Sequence, residues 1–375
     1  MRPPIQAALD EAIPRLRALD LGDAFDPRAA TVLVDAGLHT LCVPSDVGGL
    51  GASMVEAAEV LLALGAVDGS TALGFAMQVH VTGALRDGPL DPGVQAGIFR
   101  LIVADGALVN NAATEEGGGS PARGAIPGTT AEHVGGDAWR LSGEKTWTTW
   151  LPVLTHAFVT ARLDAGEPPR VGRFLVDLTD PAIERREGFE ALGMRGSASG
   201  RLVLDGAPGR LIAERPVGAA DPHGAASLAW FGAAMAAVYL GVGEGARTAV
   251  ARWALDRRPG DGSTAVADLP TVRLRLGRLD AALRSARIVL LAAARRWDED
   301  RDPTDLALAK VVATRAAVDA TDEALRIAGG PGFLVGRLER AFRDARAGLI
   351  NPPLEDVALT GFAARLLDEV RDGGA

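Results

Sequence analysis

The chain has 375 residues, 48% of them apolar, 23% charged and 5% aromatic, and 39 basic against 48 acidic side chains leave a formal net charge of −9. This is a globular composition, long enough for two or three domains of about 100 to 200 residues each with cores that need no disulfide or structural metal, and it excludes disorder as the main state. The acidic balance, with no run of Arg or Lys longer than a pair, argues against a nucleic-acid surface, and the lone Cys42 excludes a disulfide framework and a thiolate metal site.

The opening stretch MRPPIQAALDEAIPRL carries acidic residues and prolines where an export signal needs a positive flank and an unbroken apolar core, so a reducing, cytoplasmic setting is expected. From about residue 4 to 106 the pattern is helical. Val55, Ala58, Val60, Leu61 and Leu64 recur at helical spacing, and Asp68, Gly69 and Ser70 then offer a cap for a helix over 71–85. From about 108 to 215 strand-sized apolar segments lie between Gly and Pro clusters, at 109–113, 138–141, 157–161, 172–177 and 201–204. After Pro216 long helices return, over 225–257, 270–297 and 303–328, with more after Phe333 and Pro353. In the second of these Val272, Leu276, Leu279, Leu283, Ala286 and Leu290 share one face. The uncharged stretch from Ser227 to Gly243 falls short of the ~20 residues of a bilayer crossing and reads as a buried helix. The order α, β, α predicts an α+β multidomain chain with an all-α domain over 1–107, a β domain over 108–216 and a helical bundle over 217–375.

Three loops could carry chemistry. Thr114-Glu115-Glu116-Gly117-Gly118-Gly119-Ser120 follows a strand and lets backbone N–H groups approach a ring oxygen or phosphate, yet it is neither a Walker loop nor a dinucleotide fingerprint. Gly143-Glu144-Lys145-Thr146-Trp147-Thr148-Thr149 sets an indole beside hydroxyls, which suits a planar heterocycle that stacks and accepts hydrogen bonds at its edge. Gly193-Met194-Arg195-Gly196-Ser197-Ala198-Ser199 is the third; alone, each reads as a plain turn or a core Trp. The five histidines show no metal-ligand spacing, and no GxSxG elbow occurs.

In order and spacing these segments resemble the acyl-CoA dehydrogenase family of flavoproteins along essentially the whole chain. Val43-Pro44 with Gly48-Gly49-Leu50-Gly51, Arg257 after a long helix, Ile327-Ala328-Gly329-Gly330-Pro331-Gly332-Phe333 and Arg343-Asp344-Ala345-Arg346 complete the match. The resemblance implies an N-terminal helical domain, a middle β-barrel and a C-terminal four-helix bundle, assembled as a homotetramer or homodimer, or heteromerically, around FAD. It places Ala113 and Thr114 against the flavin ring, stacks Trp147 on it, points Thr149 toward N5 and sets Ser120 near a phosphate or thioester arm. It assigns Arg257 to a neighbouring subunit's FAD pyrophosphate, and Arg326, Gly329 and Gly330 to the adenine end.

The family's usual base, a glutamate in a Tyr-Glu-Gly turn after the RDAR-like segment, is missing: the register reads Ile350-Asn351-Pro352-Pro353. The other known location of the base matches Phe231 and Gly232, and Pro121 stands where a carboxylate usually follows the Gly-rich loop. Three readings follow. The leading expectation is α,β-dehydrogenation of an acyl thioester, or of another small hydrophobic substrate, with Glu355 as a displaced base and an electron acceptor as partner. A monooxygenase using reduced flavin from a reductase would need no such base, and His80 and Asn111 stand at broadly matching places, with Asn351 as a further polar group. The third is a non-catalytic subunit of a heteromeric dehydrogenase.

Overall fold

The computed structural model describes residues 1–117, 126–164, 168–186, 188–260 and 262–373. Its packing forms two compact units, one of residues 1–57, 73–191 and 195–231, the other of residues 58–72, 192–194 and 232–375.

The first unit begins with α1 (Pro3–Ala18) and α2 (Pro27–Asp35), takes in the start of α3 (Met54–Gly65) and most of α4 (Gly69–Asp87), and adds α5 (Pro92–Asp105). Helix starts follow the chain chemistry. The Asp26 and Asp91 carboxylates accept N–H groups of Arg28 and Val94, each with proline next in line, where its missing donor costs nothing. Val81 and Leu85 of α4 pack with Ile98, Phe99 and Ile102 of α5 on Val109 and Phe158 of the sheet.

That sheet has seven strands: β1 (Val109–Ala112), β2 (Thr130–Gly135), β3 (Ala138–Thr148), β4 (His156–Leu163), β5 (Arg170–Asp177), β6 (Ile183–Arg186) and β7 (Gly200–Pro216). Pairing runs β4–β2–β3–β7–β5, and β5 pairs back to β4, so these five close into the expected barrel; β1 adds to β4 and β6 to β7. β1 and β2 lie parallel to β4, and the other pairings are antiparallel. Four of the five strand segments expected from sequence lie within β3, β4, β5 and β7, and the fifth, 109–113, runs one residue past the end of β1. β2 and β6 have no counterpart there, because β2 buries only Ala131 and β6 follows Ile183 with three charged residues, so backbone pairing identifies them as strands.

The second unit is helical, with α6 (Gly224–Asp256) entering it from Gly232 onward, then α7 (Pro270–Asp300), α8 (Leu306–Ala328), α9 (Arg337–Ile350) and α10 (Glu355–Gly373). Ala246, Val250 and Ala254 of α6 meet Val272 of α7 and Ala324 and Ile327 of α8. The expected cap of α4 is formed here: Asp68 Oδ1 accepts the Thr71 N–H at 2.7 Å. α6 matches the helix expected over 225–257 to within one residue at each end, and its 33 residues include a segment apolar enough to cross a membrane by length and composition; 78% of that segment is buried in the protein. Small residues let backbones touch: a Cβ at Gly65 would lie 2.6 Å from the Val238 carbonyl, and one at Gly245 2.7 Å from that of Ala66.

In the first unit a Cβ on Gly74 of α4 would lie 1.9 Å from Nε1 of the buried Trp150, whereas one on Gly97 of α5 meets nothing within 4 Å. Gly74→Ala is therefore expected to destabilise by about 1 to 3 kcal/mol through overpacking, and Gly97→Ala to stabilise by about 0.5 to 1 kcal/mol through helix propensity. Urea midpoints with unchanged slopes would show both shifts.

Candidate functional site

In the first unit the Gly-rich and Trp-bearing segments meet where β1 ends and β3 ends. The Thr146 N–H donates to the Thr114 carbonyl at 2.8 Å. The register of β3 on β7 shifts between Lys145 and Thr148, and Trp147 within the shift has φ +57°, a left-handed conformation that a bulky residue adopts only under constraint. The irregularity turns the indole outward, 53% exposed, with its ring stacked on Phe189 at 4.2 Å between centroids. Ala113 is half-buried and Thr114 exposed beside it. The Thr149 and Ser199 hydroxyls lie 3.0 Å apart, as do those of Ser199 and Ser197. Beneath, Asn110 Nδ2 donates to the Thr149 carbonyl at 2.9 Å while its Oδ1 accepts the Asn111 N–H at 2.6 Å. Ala113, Thr114, Trp147 and Thr149 are thus brought together, and an exposed indole with hydroxyls and backbone groups around it fits a flat heteroaromatic ring. Ser120 and Pro121 lie outside the described residues.

A buried ion pair holds this bed. The Lys145 ammonium, fully buried, donates to Glu115 at 2.5 Å and to the Thr160 carbonyl at 2.6 Å. Glu115 also accepts the Gly128 N–H at 2.6 Å, the Thr129 N–H at 3.0 Å and the Thr129 hydroxyl at 2.7 Å. Burial raises the Glu115 carboxyl, but hydrogen bonds from Lys145 and Thr129 outweigh it and bring its pKa down to about 2. Burial holds Lys145 below the usual lysine range although Glu115 pulls the other way. Burying the pair is costly, and its hydrogen bonds to Thr160, Gly128 and Thr129 tie together the segments that meet here.

His80, on α4, shares a 2.8 Å hydrogen bond with Ser227 and meets Phe231 edge-on at 5.2 Å. Burial, with the charge of Arg173, brings its pKa down to about 3 against the effect of Ser227, so the imidazole is neutral near pH 7. Among the described residues no hydrogen bond joins His80 to Asn111. Among the described residues, too, no His, Cys, Asp or Glu cluster could hold a metal.

In the second unit Arg257 is exposed just past α6, and Arg326 is exposed on the last turn of α8, paired with Asp322 at 2.8 Å. Gly329, with φ +63°, ends α8, and Gly330 opens the turn that follows. Arg326 lines a groove of about 440 Å³ along α7 and α8 with Arg275 and Arg278. Asp344 of the RDAR-like segment accepts the Met194 N–H at 2.5 Å, and a Cβ on Gly193 would lie 2.4 Å from the Arg343 carbonyl, so two sequence motifs lock together. Burial raises the Asp344 carboxyl to about 6 against the Met194 hydrogen bond. Glu355 begins α10 and is ion-paired with Arg315, while the Asn351 amide nitrogen donates to the buried Tyr239 hydroxyl.

The Lys145–Glu115 pair and Asn110 have no individual signal in the sequence; a fully buried lysine beside the motif is visible only once strands are in register. Lys145→Met strands the Glu115 carboxylate and is expected to cost about 3 kcal/mol or more. In the parent chain the unfolded carboxyl protonates near its ordinary 4.5 while the folded one stays ionised to about 2. That part of the stability is present above pH 4.5 and is lost as pH falls toward 2, and the loss should be smaller in Lys145→Met. Urea midpoints between pH 3 and 7 check both points.

Sequence profiles of the acyl-CoA dehydrogenase N-terminal, middle and C-terminal domains match residues 2–88, 110–207 and 225–351. YdbM of Bacillus subtilis (strain 168), whose name assigns it provisionally to the acyl-CoA dehydrogenases, is 33% identical over 90% of this chain and 88% of its own. The amino sugar nitrososynthase DnmZ of Streptomyces peucetius is 29% identical over 89% and 86% of the two chains. The structure of KijD3 in complex with FMN and dTDP-3-amino-2,3,6-trideoxy-4-keto-3-methyl-D-glucose superposes with a TM-score of 0.84 at 27% identity, covering 98% of this chain and 95% of that one. With three domain profiles in sequence order, a barrel between helical regions and the Gly-rich and Trp-bearing segments side by side, the chain belongs to the acyl-CoA dehydrogenase family of flavoproteins.

Proposed function

We propose that this chain is a flavin-dependent oxygenase that uses dioxygen and reduced flavin delivered by a separate reductase to oxidise a small organic substrate. The observation that carries the reading is the state of the C-terminal segment where a dehydrogenase of this family keeps its base. Asn351 stands there, hydrogen-bonded to Tyr239, followed by two prolines, and the next carboxylate, Glu355, is engaged by Arg315 at the start of an exposed helix. Removing an α-proton requires a carboxylate able to reach it, whereas oxygen transfer requires a dry pocket with neutral hydrogen-bonding groups. His80, buried and neutral beside Ser227, supplies such a group on the substrate side, with Asn111 near the ring-bearing segment as a second. The likeness to amino sugar nitrososynthases supports the same reading.

Oxygen activation is the chemistry that a bound reduced flavin supplies. The chain's part is to seat the ring between Thr114 and Trp147, direct the Thr149 hydroxyl to its edge and keep water away. We propose FAD, in a cytoplasmic homotetramer or homodimer, because the exposed Arg257 and the Gly329–Gly330 turn retain the residues for its diphosphate and adenine. Dehydrogenation of an acyl thioester is the second reading, supported by the likeness to YdbM; it requires Glu355 to leave Arg315.

Mass analysis of the released flavin should give FAD. Under anaerobic conditions acyl-CoAs of several lengths should leave the oxidised flavin unbleached, and reduced flavin with labelled dioxygen should put the label into a product. Bleaching by an acyl-CoA that disappears in Glu355→Gln would establish the dehydrogenase instead.

A further inference from the structure

The indole of Trp147 has two faces, and the protein covers one of them. Phe189, in the loop between β6 and β7, stacks on it with 4.2 Å between ring centroids and 27° between planes, yet the indole is still 53% exposed. A ring stacked on one side and half open has its other face in solvent. Phe189 itself is half-buried and held from two directions. A Cβ on Gly188 would lie 2.5 Å from the Ser199 carbonyl, so the chain just before Phe189 runs directly against the hydroxyl-bearing segment. The Arg201 guanidinium lies 5.5 Å over the Phe189 ring, and it donates to Glu144 of β3 at 2.8 Å and to Glu116 of the Gly-rich segment at 2.5 Å. The ring that backs the indole is thereby anchored to both segments of the bed. Two rotatable bonds separate the indole from its backbone, and a stacked aromatic pair restricts both, a bias of about two- to tenfold.

We propose that Phe189 is a positioning residue for the flavin: it backs the Trp147 indole and sets its plane, so that the open face, and not the one Phe189 covers, receives the flavin ring. A half-exposed side chain at a strained register break would otherwise sample several rotamers, and a ligand that stacks on it would have to order it first. Phe189 removes that cost before binding. The inference rests on the proposed seat of the flavin ring at Trp147, which the Trp147→Ala variant tests on its own.

Calorimetric titration of the flavin-free, full-length protein with FAD tests this. Phe189→Ala should weaken binding about threefold or more, and Phe189→Tyr, which keeps the stacking face, should bind within about twofold of the parent. Trp147→Ala should weaken binding as well, and in that background Phe189→Ala should add less than about twofold, because the two rings act as one unit. A general loosening of the barrel would weaken binding in both backgrounds alike and would not be rescued by tyrosine. Binding by Phe189→Ala less than about threefold weaker than the parent overturns the proposal, and binding tighter than the parent would show that Phe189 fills the flavin's place instead of preparing it. An equal loss in both backgrounds also overturns it. If Phe189→Ala does not fold, Phe189→Leu, which keeps bulk and loses the ring, is held to the same threshold. FAD left unbound by the parent, or bound equally well by Trp147→Ala, removes the seat itself and the proposal with it; a loss in Trp147→Ala without one in Phe189→Ala leaves the seat standing and removes only the part of Phe189. No turnover is measured, so the choice between oxygenase and dehydrogenase chemistry leaves the result unchanged.

Discussion

The flavin-type bed depends on one ammonium group. Lys145 reaches from β3 to the Thr160 carbonyl on β4 and to Glu115 just past β1, and Glu115 in turn gathers the N–H groups at the entrance to β2. Four segments far apart in the chain converge on two side chains. Burying such a charge costs several kcal/mol unless its geometry is complete, so the pair permits one arrangement of these segments and disfavours neighbouring ones. The left-handed backbone of Trp147 persists for the same reason: strain at one residue is tolerated where its surroundings over-determine it.

Much of the architecture was legible because it follows from periodicity. The apolar face from Val272 to Leu290 lies in α7, and Asp68 caps α4 as its position before an apolar run suggested. β2 and β6 were illegible for a physical reason, since β2 buries a single side chain and β6 is four residues with three charges, so backbone pairing and not an apolar run makes them strands. In the candidate site, Thr114 and Trp147 could be matched through motif order, but what binds them together could not. Lys145 and Glu115 are 30 positions apart and His80 and Ser227 are 147 apart; both contacts depend on register and packing that no local pattern encodes.

Family and reaction separate in this molecule. The barrel, the indole and the neighbouring hydroxyls belong to the part of the fold that would hold a flavin ring, and they are compatible with several oxidations. The chemistry would be chosen elsewhere, by what stands near the reacting carbon or nitrogen. Taken by itself, the second unit has an amide tied to a phenol in its C-terminal segment, and the first unit, taken by itself, has a neutral imidazole tied to a hydroxyl. Neutral groups orient and polarise without competing for protons, a different division of labour from a poised carboxylate.

Gly65, Gly241 and Gly245 have a consequence of their own. Where helices meet through side chains, a misfit can be absorbed by a rotamer change; where they meet through carbonyl and Cα atoms, nothing can swing aside. That contact behaves as a hard stop with no compliance: a side chain added at this seam has to displace a backbone, whereas on the outward faces of α7 and α10 leucines and arginines can be exchanged without doing so.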